Sequence, residues 1–224
     1  MSLLNDQVIF IDGEAIILDK PAGLPVDAPR DGSLSLENYL SSLTFGFQRW
    51  PLPVHRLDRD TSGCLLLARN PKAHKRFAAA FEAGTVSKRY VAVVEGVPAE
   101  DSGTIDLSLS KTSSAAKGWR MVADPAGKNA VTHWRKLAEK NGRALIAFTP
   151  RTGRTHQIRV HALQGLGTSI VGDPVYGKAG EPMLLHSRFL SVARTGKPPA
   201  EATAPLPAPF AAAGFGEEYL GEEA

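Results

Sequence analysis

The sequence contains a single cysteine, Cys64, among its 224 residues. One thiol excludes an internal disulfide framework and any cysteine-rich zinc site, and it fits a reducing compartment, the cytoplasm. Long apolar runs are missing too. Residues 8–11 and 64–68 fall far short of the ~20 residues that a membrane helix needs. Met1 to Asp6 lack a basic stretch followed by an apolar one, so no secretory signal is expected. There is no Walker-type phosphate loop, and Gly165-Leu166-Gly167 is only a fragment of a dinucleotide fingerprint. His156 and His161 stand five apart with no Glu between them, unlike a zinc-protease helix. His55, Asp58 and Asp60 offer fewer clustered oxygens than a hard-cation site recruits, so no metal is expected.

What is present is ordinary in amount but uneven in placement. An apolar fraction of 43% and a charged fraction of 22% suit a globular chain, as one large domain or two small units sharing a core. The formal charge is only +3, yet every Lys and Arg lies at or before Lys197. Five acidic residues follow it, so residues 1–200 carry 26 basic against 18 acidic side chains, a surplus of eight. A basic body suggests a polyanionic partner, RNA or DNA before membrane. A solvated basic surface would give the same arithmetic, so charge alone decides nothing.

The pattern of apolar residues is rich in strands. Residues 7–12 and 15–19 are broken by Asp12-Gly13, a hairpin signal. Pro21 and Pro25 force a loop, residues 35–43 read as a short helix, and residues 64–68 as a buried strand. Asn70-Pro71 begins a helix that Gly84 stops. Strands are expected at 88–95, 104–109, 118–122, 130–137, 143–148 and 184–192, with Thr155 capping a helix to about residue 164. The fold class is therefore α+β, a mixed, mostly antiparallel sheet with flanking helices. The domain reading is a body over residues 1–194, then an irregular Pro/Ala-rich and acidic extension over 195–224.

Three segments hold more polar chemistry than folding requires. Residues 54–63 pack His55, Arg56, Asp58, Arg59 and Asp60 ahead of an apolar strand. A carboxylate beside Arg stays ionised and aimed, which suits a nucleophile or general base. An Asp capping a turn, with its arginines in solvent, would look the same. Residues 151–161 carry Arg154, Thr155, His156, Gln157 and Arg159 into a helix start, a place where backbone donors meet anions. The competing reading is a capped amphipathic helix with His161 satisfied in the core. Lys88-Arg89-Tyr90 opens a strand, where a tyrosine is commonly a core residue with its hydroxyl at the rim.

Taken in order, these segments resemble one family. His55-Arg56-Leu57-Asp58-Arg59-Asp60-Thr61-Ser62-Gly63 is similar to the HRLDxxTSG signature of RluA-type RNA pseudouridine synthases. Gly153 to His161 resembles their GRTHQ(L/I)RxH motif, and Lys88 to Gly96 their KxYxAxVxG strand. Ile17 to Leu24 and Gly172 to Gly177 also match in order. The small N-terminal S4-like RNA-binding module of many relatives is not expected, since the core-like pattern starts by Val8. Thr168-Ser169 stands where relatives often have His-Pro.

The resemblance implies a pseudouridine synthase fold with a central basic cleft and neither metal nor organic cofactor. It implies isomerisation of a specific uridine in tRNA or rRNA. Asp58 matches the catalytic aspartate, Tyr90 the tyrosine that stacks on the target base, and Arg159 the basic residue that pairs with the aspartate. Arg56 matches the arginine that helps displace the base, and Ile158 the apolar neighbour that lines the pocket. His55, Thr61, Ser62, Arg154, His156 and Gln157 complete the expected RNA- or substrate-binding set. The expected partner is RNA, with no membrane and no obligate protein partner, and a monomer is the default. Two other classes fit the same residues. One is a non-catalytic RNA-binding or remodelling protein; the other is a nucleoside or base hydrolase, in which water captures the sugar.

Overall fold

The computed structural model describes residues 4–115 and 118–221. Strands β1 (Val8–Ile11), β2 (Ala15–Lys20), β3 (Leu52–Pro53) and β4 (Ser62–Ala68) precede helix α1 (Pro71–Glu82). Next come β5 (Ser87–Val94), β6 (Ser102–Asp106), β7 (Leu109–Ser114), β8 (Gly118–Ala123), β9 (Val131–Lys140) and β10 (Arg143–Pro150). Helix α2 (Gln157–Gly165), β11 (Leu185–Arg194), β12 (Lys197–Thr203) and α3 (Ala208–Ala212) follow. The class is α+β with a mostly antiparallel sheet, as the sequence suggests. Two compact units divide the chain: Met1–Lys88 with Ser187–Pro205, and Arg89–His186 with Leu206–Ala224.

In the first unit the β1–β2 hairpin forms across Asp12-Gly13, and the Asp12 carboxylate accepts hydrogen bonds from the Glu14 and Ala15 amides. β2 then pairs antiparallel with β4 from Ala15 opposite Ala68 to Lys20 opposite Gly63. Every residue of β4 is buried, and so are residues 15–18 of β2, so both faces of this pair carry apolar side chains. Ile17, Cys64 and Leu66 meet Phe77 of α1 and Leu190 and Val192 of β11 in one cluster. Asn70 caps α1 by accepting from the Ala73 amide at 2.8 Å, the cap expected from the Asn-Pro step.

In the second unit β10 pairs with β5 on one side and β9 on the other, and β6 extends the sheet beyond β9. A register shift between Leu145 and Ile146 bends the β9–β10 hairpin. Ala92, Val94, Ile146, Phe148 and Ile158 of α2 form one side of its core. The strand expected at 104–109 is split. β6 ends at Asp106, and from Leu109 the chain turns off to pair with β8 in a separate two-stranded ribbon.

Of the irregular extension expected over 195–224, residues 222–224 lie outside the described residues, and the rest is corrected by the structure. β12 pairs antiparallel with β11, and α3 with the following turn buries Phe210, Phe215 and Leu220 against Val91, Val93, Leu145 and Leu184. Composition misleads here because three large apolar anchors are diluted by Ala, Pro and Gly. Pro198 and Pro199 fall opposite the register break between Val192 and Arg194, where a strand tolerates a missing donor. Gly214, with φ of +91°, supplies the turn that sends Phe215 inward. Phe215→Ala should lower unfolding free energy by about 3 kcal/mol, the cost of emptying a fully buried aromatic site. Chemical denaturation reads this, and a midpoint equal to the parent's contradicts the docking of this segment.

Candidate active site

The loop between β3 and β4 carries Asp58, and its shape is imposed from below. Lys20, at the end of β2, has no exposed surface. Its ammonium donates to the carbonyls of Pro21 at 2.8 Å, Leu24 at 2.8 Å and Arg59 at 3.0 Å. All three ammonium protons are therefore used to join the Pro21–Pro25 loop to the Asp58 loop. The Gly23 amide adds a bond to the Arg59 carbonyl at 2.9 Å. Burial pulls the Lys20 pKa down to about 8, while Asp60, Asp58 and Asp19 hold it up. The cation thus stays protonated at neutral pH beneath two loop carboxylates. Its own neighbour Asp19 is pushed up to about 6 by burial, against the pull of Arg188 and Lys20.

Asp58 itself is partly buried, and its carbonyl accepts from the Thr61 amide at 3.1 Å, closing the turn. Leu57 anchors the loop with a buried side chain. Gly63, at φ of +101°, lets the chain enter β4 opposite Lys20 in a conformation that a side chain would strain. Arg56 lies outward, ion-paired to Asp27 at 2.7 Å with 73% of its side chain exposed. It is well placed for a solvent-side partner. Thr61, just before β4, and Ser62, its first residue, are both buried.

His55 has a structural role in place of the RNA contact expected of it. Its Nε2 accepts the Leu66 amide at 3.0 Å, replacing a strand carbonyl, and its ring stacks on Phe81 with centroids 4.3 Å apart. Burial, reinforced by the Lys88 charge, drives its pKa down to about 3. The ring is neutral, as an acceptor nitrogen requires.

On the second unit, the loop into α2 is locked by Gln157. Its Oε1 accepts from Thr152 Oγ1 at 2.7 Å and the Arg154 amide at 2.9 Å. Its Nε2 donates to the Val131 carbonyl at 3.1 Å and Thr132 Oγ1 at 2.9 Å. The buried amide is saturated within the fold, so Gln157 is a staple. His161 is likewise the satisfied core histidine of the blander reading: Thr132 Oγ1 faces its Nδ1 at 2.9 Å and the Leu107 carbonyl its Nε2 at 3.1 Å. Thr155 is not the helix cap. The cap position falls on His156, in a left-handed conformation with φ of +53°. Arg154 is exposed, its Nε bonded to the Asn129 carbonyl at 3.0 Å.

Arg159 points into the unit and is held by a carboxylate that sequence reasoning did not assign. Asp173 grips it at two points, Nε to Oδ2 at 2.7 Å and Nη2 to Oδ1 at 2.8 Å. Exposures of 5% and 0% make this a desolvated, bidentate pair. Oδ1 of Asp173 also accepts the Val175 and Tyr176 amides at 2.8 and 3.0 Å. Burial would raise the Asp173 pKa, but Arg159 and these amides hold it below its ordinary value. The signal was present in the Gly172-Asp173-Pro174 stretch, which reads locally as a turn. Tyr90, on β5 opposite Phe148, packs against the same apolar cluster as Ile158. Asp58, His55, Arg56, Thr61 and Ser62 thus share one loop of the first unit, and Tyr90, Ile158 and Arg159 belong to the second.

The His55 environment makes the fold sensitive to acid. Its folded pKa of about 3 lies below its ordinary 6.5, so stability is full above about pH 6.5 and drains as pH falls toward 3. The unfolded chain takes up a proton there that the folded ring refuses. His55→Gln, which keeps an acceptor, should flatten the pH dependence of unfolding in this window by about one proton, about 1.4 kcal/mol per pH unit. Identical slopes for both proteins contradict the buried neutral ring.

Comparison with known proteins identifies the arrangement. Residues 14–164 match the family model for RNA pseudouridylate synthase. A Zymomonas mobilis protein named as an uncharacterised RNA pseudouridine synthase is 61% identical over 219 residues, covering 96% of this chain and all of its own length. Ribosomal large subunit pseudouridine synthase D of the same organism is 36% identical, over 77% of this chain and 56% of its own length. For ribosomal large subunit pseudouridine synthase C of Rickettsia prowazekii the identity is 34%, over 86% and 65%. The chain thus spans less than two thirds of the length of these two ribosomal relatives. The solved structure of human RNA pseudouridylate synthase domain containing 4 superposes with a TM-score of 0.78 at 25% identity, covering 93% of this chain and 91% of that one. By sequence and fold together, the chain belongs to the RNA pseudouridylate synthase family.

Proposed function

We propose that this chain converts a specific uridine of structured RNA to pseudouridine, with Asp58 as the catalytic carboxylate. The observation that supports this most is the Asp58 loop itself, a signature segment locked from beneath by the buried Lys20 ammonium. A preorganised loop keeps a carboxylate aimed without reorganisation during the reaction.

The chemistry asks for little else. A uridine must leave its stack, at a cost of a few kcal/mol that stacking and polar contacts offset. Tyr90 offers an aromatic face for the base. The N1–C1′ bond breaks while the Asp58 carboxylate stabilises or traps the sugar carbon, as nucleophilic carboxylates do in retaining glycosidases. The uracil turns, C5 bonds to C1′ as any Asp58–C1′ bond breaks and returns its electron pair to the carboxylate, the C5 proton is lost and N1 gains one. Atoms and electrons balance within the nucleotide. Arg159, fixed by Asp173, contributes a guanidinium that cannot rotate away. Arg56, exposed on the same loop as Asp58, takes part in displacing the base.

The names of the relatives make large-subunit ribosomal RNA the first substrate to examine, with tRNA second. Both occur in the cytoplasm, where we place the protein as a monomer. The surplus of basic residues over 1–200 supports binding to the phosphate backbone that weakens with salt.

Asp58→Asn should abolish pseudouridine formation while RNA affinity stays within about twofold of the parent, since the exposed arginines carry the backbone contacts. Pseudouridine mapping of total RNA from cells with parent, variant or no protein reads this. Equal pseudouridine content with both proteins, alongside intact RNA binding, contradicts the proposal and leaves an RNA-binding protein. Release of free uracil marks a hydrolase instead.

A further inference from the structure

The β7–β8 ribbon belongs to the second unit, and the proposed chemistry does not use it. Its strands pair from Leu109 opposite Ala123 to Ser114 opposite Gly118, apart from the main sheet. Its base is docked. Leu109 is buried with Val160 of α2 and Tyr176, Met121 packs on them, and the Ala123 amide donates to Gln164 Oε1 at 2.6 Å. Its outer part carries an indole into solvent: Trp119 is 48% exposed. Residues 109–123 include Lys111, Lys117 and Arg120 and no acidic residue.

The indole is not loose. It stacks on the His156 ring with centroids 5.1 Å apart and planes within 26°. His156 Nδ1 lies 2.8 Å from the Tyr176 hydroxyl, which itself accepts the Met121 amide at 2.9 Å. The His156 ring and the Tyr176 hydroxyl are thus joined by one hydrogen bond, and the hydroxyl is tied in turn to the ribbon backbone. The Tyr176 ring meets His156 edge-on at 5.5 Å and lies 5.1 Å from the Arg159 guanidinium carbon. One continuous set of contacts thus runs from the exposed indole to the Arg159–Asp173 clamp. Lys111 Nζ is 5.2 Å from the Trp119 ring.

We propose that Trp119, backed by His156, is a stacking platform for an unpaired base next to the target uridine, with Lys111 and Arg120 on its flanking phosphates. The inference rests on the RNA reading above and adds a residue that selects the substrate. An exposed aromatic face held by a second ring, with the Lys111 ammonium beside it, has the chemistry of single-stranded nucleic-acid sites. A protein partner would be expected to meet a wider apolar patch than one indole. Unpaired bases expose a face that a duplex hides, so the platform discriminates loops from stems.

The test compares a fluorescein-labelled RNA stem–loop with a fully paired RNA duplex of equal length. Trp119→Ala should weaken binding of the stem–loop about tenfold, within the range that base stacking supplies, and leave duplex binding unchanged. Trp119→Phe should recover most of the loss, and Lys111→Ala should lower the salt slope by about one ion. On cellular RNA, Trp119→Ala should raise KM with little change in kcat. Equal affinities of parent and Trp119→Ala for the stem–loop overturn the platform, as do equal losses on both probes or failure of the parent to bind the stem–loop. Pseudouridine formation by the parent is read separately, so the platform can fall while the isomerase reading stands.

Discussion

A buried ammonium with three carbonyl partners fixes the geometry on which the first unit's chemistry depends. Lys20 sits where β2 ends, and its ammonium joins the loop that follows it to the Arg59 carbonyl, 39 residues further along the chain. Pro21 and Pro25 lack amide protons, so neither adds a donor to the loop that they frame. The cost of burying the cation shows in its lowered pKa, and the nearby carboxylates of Asp60 and Asp58 offset part of it. Removing an interaction of this kind is more damaging than its net worth suggests, because the Pro21 and Leu24 carbonyls lose the ammonium and the Arg59 carbonyl keeps only the Gly23 amide.

The second unit uses the same economy with different groups. Arg159 is held by Asp173, Asp173 by two backbone amides, and the preceding loop by the saturated Gln157 amide. Gln157 finds its partners on the loop into α2 and on β9, and His161 finds its own on β9 and at the Leu107 carbonyl. A buried ion pair of this kind is weak evidence for stability but fixes orientation. That is the property a guanidinium needs if it is to meet a reacting nucleotide in one pose.

Much of this was legible in the residues. The Asp12-Gly13 hairpin, the Asn70-capped helix and the apolar β4 strand follow from local signals that the tertiary structure does not override. The segments that hold Asp58, Tyr90 and Arg159 pointed to the family because each is several residues long. What was not legible lies in contacts distant along the chain. His55 and Gln157 look like ligand-facing groups, yet a β4 amide and the β9 backbone claim them. Asp173 resembles a turn residue until its two bonds to Arg159 are seen. The segment after β11 looks irregular on average composition, while β12 pairs with β11 and Phe210, Phe215 and Leu220 are buried in the second unit. Lys20 belongs to a recognised segment, but nothing local to it announces a buried charge.

The central claim, that the Lys20 ammonium aims the Asp58 loop, is tested most directly by Lys20→Met assayed for pseudouridine formation and for amide hydrogen exchange at Gly23 and Thr61. The account predicts faster exchange at both amides and turnover reduced about a hundredfold, the scale of a misplacement near 1 Å, with RNA affinity retained. Parent-like exchange together with parent-like turnover would contradict it.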